Sequence, residues 1–65
     1  MAHKFRIGQT VLFVAKPTHR GIVPETCVIL RQLPESDGEF QYRIRSVHEP
    51  HEKVAKQSQL RSAPN

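Results

Sequence analysis

Chemistry needs side chains that give up protons, electrons or lone pairs, and this chain offers few in useful spacing. His48-Glu49-Pro50-His51 sets two imidazoles three residues apart, with His3, His19 and Cys27 elsewhere. A zinc site wants four nitrogen or sulfur ligands in a tetrahedron, usually drawn from two close pairs. One pair on a proline-containing loop does not supply that, so no metal is expected. Cys27 is the single candidate nucleophile. A catalytic thiol needs a lowered pKa and a base beside it, whereas Thr26, Val28 and Ile29 are strand formers that suit a small packing residue. Glu35, Asp37 and Glu39 crowd one turn, but an acid/base pair must flank a cleft in unequal environments. The three glycines stand far apart, so no phosphate-cradling loop is present. No catalytic residue and no cofactor follow from these patterns. An enzyme remains only as a third reading, in which a cleft gathers Cys27 with a histidine.

The best functional clue is cationic. In Phe40 to Ser46, Phe40, Tyr42 and Ile44 point one way while Gln41, Arg43 and Arg45 point the other, because strand side chains alternate faces. Arg31 stands near them if the hairpin register allows, and Lys53 adds charge from the next strand. Guanidiniums on a sheet face can track phosphates, which supply most non-specific affinity for RNA or DNA. The four candidates are therefore Arg43, Arg45, Arg31 and Lys53. The outer face of an antiparallel sheet carries Arg and Gln in any case, and Glu49 or Glu52 can pair with these cations in contacts worth about 0–1 kcal/mol. Only four aromatics are present, Phe5, Phe13, Phe40 and Tyr42, with no Trp. That shortage disfavours a base-stacking platform, a proline-peptide groove and a methyl-lysine cage.

The elements that hold these residues are short. The chain has 65 residues, 10 Lys plus Arg against 6 Asp plus Glu, and a formal charge of +4. That length permits one small domain with a modest core. Gly8, Pro17, Gly21, Pro24, Pro34, Gly38 and Pro50 cut it into pieces suited to strands and turns. Strands are expected at Gln9 to Ala15, Thr26 to Gln32, Phe40 to Ser46 and Lys53 to Lys56. Leu33 to Glu39 reads as a hairpin loop containing Asp-Gly. Gln57 to Arg61 reads as a 3₁₀ turn leading into a fifth strand. No window has the spacing of an amphipathic helix. The expectation is one all-β domain over residues 5–62, with loose ends at 1–4 and 63–65.

Phe5-Arg6-Ile7-Gly8-Gln9-Thr10-Val11, the long loop after it, Tyr42-Arg43-Ile44 and Ser58-Gln59-Leu60 together resemble the SH3-like barrels, including Tudor, chromo-like and KOW-type variants and short bacterial proteins of that shape. The resemblance implies a small five-stranded barrel with a 3₁₀ turn before the last strand. It implies no single function, since such barrels bind RNA, DNA, peptides and modified side chains.

A lone cysteine and the lack of an apolar leader in Met1 to Arg6 point to the cytoplasm. The longest apolar runs fall far short of the ~20 residues that span a bilayer, so no membrane partner is expected. Nor is a small-molecule substrate, and a monomer is. The second functional reading is a protein partner, met by the long loop Lys16 to Glu25 and an exposed edge strand.

Overall fold

The computed structural model describes residues 3–14 and 24–63. Its five strands are β1 (Thr10–Phe13), β2 (Glu25–Ser36), β3 (Glu39–Ser46), β4 (Glu52–Lys56) and β5 (Leu60–Ser62), with a 3₁₀ turn at Gln57–Gln59 between the last two. All ladders are antiparallel, and the strands form one open sheet in the order β4-β3-β2-β1-β5. No helix among the described residues is long and apolar enough to cross a membrane. The chain is all-β.

The largest departure from the expected elements is the Leu33 to Glu39 loop. Only Asp37 and Gly38 form the turn, and β2 runs on to Ser36. Both turn residues have positive φ, 54° at Asp37 and 81° at Gly38. That is the type I′ geometry whose twist matches the flanking strands, so the strands pair up to the turn itself. Pro34 survives inside β2 because it lies at a register shift between Leu33 and Ser36, where a ladder donor is not needed. A second shift leaves Leu30 as an extra residue between the Ile29↔Ile44 and Arg31↔Arg43 pairs. Such a bulge bends and twists its strand. The first part of β2 therefore pairs with both β1 and β3, and the second part with β3 alone.

Curvature is also demanded by connectivity. β4 and β5 are the two edges of the sheet, and only three residues join them. In a flat five-stranded sheet the edges would stand ~19 Å apart, four spacings of ~4.8 Å. Lys56 to Leu60 spans only ~8 Å at the ~2 Å rise of a 3₁₀ turn. The sheet must coil until its edges approach. Its inner face then encloses the core of Val11, Cys27, Ile29, Tyr42, Ile44, Ala55 and Leu60, one or two residues from every strand, together with Phe5.

The amino-terminal segment is held tightly. Arg6 to Gln9 form a type II turn, closed by Gln9 N–H donating to the Arg6 carbonyl at 3.0 Å, with Gly8 at φ +87° where a side chain would be strained. Gly8 N–H then donates to the Ile29 carbonyl at 2.7 Å beside the β2 bulge. His3 and Lys4 make contacts with the sheet as well. The His3 ring lies 4.3 Å from Phe40, and its Nε2 donates to the Leu33 carbonyl at 2.7 Å. The Tyr42 hydroxyl accepts from the Lys4 and Phe5 amides at 2.9 and 3.3 Å and donates to Gln57 Oε1. One buried oxygen thus ties together the amino-terminal segment, β3 and the 3₁₀ turn.

Tyr42→Phe removes that oxygen and leaves the Phe5 amide without a partner. Stability should fall by about 1–3 kcal/mol in urea unfolding, the usual cost of an orphaned buried polar group. Amide exchange at Phe5 should accelerate more than exchange in the β2–β3 hairpin.

Candidate nucleic-acid interface

The outward face of β2, β3 and β4 is set by register. Arg31 stands directly opposite Arg43, and Val28 opposite Arg45. On the other side of β3, Arg43 faces Val54, Arg45 faces Glu52, and Gln41 faces Lys56. Directly opposed side chains have Cβ atoms about 4.5–5.5 Å apart, and positions i and i+2 on a strand are about 6.7 Å apart. Arg31, Arg43 and Arg45 therefore form one exposed cluster, with Lys56 further along the same face. Val54, 52% exposed, lies beside Arg43.

One carboxylate enters the cluster. Arg43 Nη1 donates to Glu52 Oε1 at 3.3 Å, and both side chains are a little under half exposed. An ion pair this accessible is worth about 0–1 kcal/mol. Arg31 and Arg43 meanwhile repel across the ladder, because like charges directly opposite are destabilising.

Lys53, grouped with the arginines by its sequence position, lies on the other side of the sheet. Its register partner is the buried Ile44. Its ammonium bonds Glu25 and sits 4.5 Å over the Phe13 ring, combining an ion pair with a cation–π contact. The Lys53 hydrogen bond and charge hold the Glu25 carboxyl below its ordinary range despite the opposing effect of burial. Nothing in the local sequence marks this choice of face, since Val54 is the one strongly apolar residue of β4 and it faces out.

Cys27 is fully buried next to the same rim, with Sγ 3.9 Å from Glu25 Oε1. Burial pushes its thiol up, and the Glu25 charge pushes it the same way. This is the opposite of what a nucleophilic thiol needs. Within the acidic turn, Glu35 and Asp37 are exposed, while hydrogen bonding from the Ser58 side chain, and then from the Ser58 amide at 2.9 Å, holds the Glu39 carboxyl low. His48 and His51 are exposed in the β3–β4 connection. Among the described residues, no three His, Cys, Asp or Glu side chains gather closely enough to hold a metal ion.

The aromatics keep to the inner side: Phe5 and Tyr42 are buried, and Phe13 and Phe40 pack half-buried against the core. The long loop Lys16 to Glu25 lies outside the described residues apart from Pro24 and Glu25, so Lys16, Arg20, Ile22 and Val23 have no assigned place. No family model, curated protein or solved structure matches this chain.

Because its folded pKa is depressed, Glu25 contributes stability that is present above the unfolded value near 4.5 and is lost as pH falls through the folded value. Glu25→Gln should therefore reduce stability at pH 6.5 by under about 1 kcal/mol. It should also shrink the loss of stability between pH 5 and pH 3, as read from paired urea titrations. An unchanged acid loss would remove Glu25 from this role.

Proposed function

We propose that this chain is a small, non-enzymatic binding module that contacts the phosphates of RNA or DNA through Arg31, Arg43 and Arg45. The observation that carries the reading is the placement of three exposed arginines on adjacent register positions, with one of them ion-paired, to Glu52. That arrangement raises the energy of the free protein, and an anion laid across the face relieves it. A buried thiol with a raised pKa argues against nucleophilic catalysis. The coiled sheet, its strand order and the 3₁₀ link between its edges support assignment as an SH3-like barrel. A lone cysteine and a net positive charge suit a cytoplasmic monomer meeting nucleic acid.

The protein-partner reading has less behind it. The β4 edge carries Glu52, Lys53 and Lys56 around its one large apolar residue, and charged side chains on an edge oppose the addition of another strand.

The test is a ¹⁵N–¹H titration with short RNA and DNA oligonucleotides. Amides around Arg31, Arg43, Arg45 and Val54 should shift, and affinity should fall about twentyfold between 50 and 150 mM salt for three phosphate contacts. Arg43→Glu/Arg45→Glu should abolish the shifts while the spectrum stays dispersed, whereas Lys53→Ala should leave them in place. Equal binding by wild type and the double variant would discard the arginine face as the site.

A further inference from the structure

We infer that the arginine face selects double-helical nucleic acid over single strands, reading its charged backbone and not its bases. This rests on the phosphate-binding reading above and adds the class of ligand. Single-strand binders join a basic groove to aromatic rings on which bases stack, and each stacked base contributes substantially to affinity. All four aromatic residues of this chain are described, and none belongs to the arginine face. Phe5 and Tyr42 are buried, Phe13 lies under the Lys53 ammonium, and Phe40 is covered by the His3 ring. Among the described residues, a single strand laid on β2, β3 and β4 would meet Val28, Val54, Gln41 and guanidiniums but no Phe, Tyr or Trp ring; the one imidazole bordering the face, His48, stands at its Val28–Arg45 end and offers at most one stacking site for the bases.

What the face does possess favours the denser polyanion. A duplex carries one charge per about 1.7 Å of axis, half the spacing along one strand, and releases more counterion per contact. Three phosphate contacts give salt slopes of about −2.7 on duplex DNA and −2.1 on a single strand, a gap that reaches roughly sixfold at 50 mM salt when both are referred to 1 M. Duplex phosphates are also held in place before binding, whereas a flexible strand must be ordered along the three arginines. The Arg43–Glu52 contact fits the same ligand. It is long and exposed, so it opens readily when a phosphate oxygen approaches Arg43. Duplex DNA and duplex RNA share this backbone chemistry, and binding to either satisfies the inference.

The experiment compares a 12-base-pair DNA duplex, the matching RNA duplex and dT12, each titrated into the ¹⁵N-labelled full chain at 50 and 150 mM salt. At least one duplex should bind several-fold more tightly than dT12 at 50 mM, with the steeper salt slope and with shifts centred on Arg31, Arg43, Arg45 and Val54. The duplex that binds better identifies the source of the backbone. Binding of dT12 as tight as both duplexes, still lost in Arg43→Glu/Arg45→Glu, would overturn the duplex preference and leave the arginine face standing. Binding unaffected by those substitutions, or no binding to any of the three, would overturn the reading beneath it. Arg43→Gln/Arg45→Gln provides the same comparison without charge reversal should the glutamate variant fail to fold.

Discussion

A single sheet with no second layer can hide an apolar face only by curling around it. Here the three-residue link from β4 to β5 enforces that curl, since the two edges of the sheet cannot stand farther apart than the link reaches. Everything else follows its geometry. The inner face closes over Val11, Ile29, Tyr42 and Ile44, and the Tyr42 hydroxyl then lies where Lys4, Phe5 and Gln57 converge. The outer face of β2, β3 and β4 carries mostly polar and charged side chains, with Val54 exposed among them. The arginine cluster is the exterior of the same strand alternation that builds the core.

That alternation made β3 legible. Phe40, Tyr42 and Ile44 against Gln41, Arg43 and Arg45 is a period-two pattern, and the structure buries Tyr42 and Ile44 while exposing both arginines. The 3₁₀ turn was legible too, because Gln57-Ser58-Gln59 separates a short strand from an isolated Leu60. The length of β2 was not. Leu33-Pro34-Glu35-Ser36 has loop composition, and only the positive φ values at Asp37 and Gly38, with the shift that accommodates Pro34, turn it into strand. Lys53 escaped for a different reason. β4 has one strongly apolar residue, so its pattern does not declare a face, and the choice is made by the pairing of Ala55 with Tyr42 across the ladder. Arg31 needed the Leu30 bulge to come opposite Arg43, and a bulge leaves no trace in composition.

The two faces of β4 divide the charged residues by role. Lys53 and Glu25 neutralise each other at the rim of the core, where Phe13 and the buried Cys27 lower the local polarity. Glu52 and Lys56 belong to the exterior, where water screens them and a partner can displace their contacts. One residue of register separates a cation at the rim of the core from one that faces solvent, which is why counting basic residues along the strand is a poor guide to which charges share a face.

The pairing of β1 with β5 sets an order in time. The β2–β3 hairpin joins residues close in the chain through a two-residue turn, and such hairpins form in about 1–10 μs. Val11 meets Ser62 only after nearly the whole chain has been brought round, about fifty residues of separation. Contacts that distant slow folding toward milliseconds or longer, because the loop entropy must be overcome before they stabilise anything. During synthesis the hairpin can pair as soon as Ser46 has cleared the ribosome, while the sheet waits for Leu60 to Ser62. Until then Val11 and Phe13 lack their β5 partners, and the half-formed sheet presents an unpaired apolar edge that is hidden only when the last strand docks.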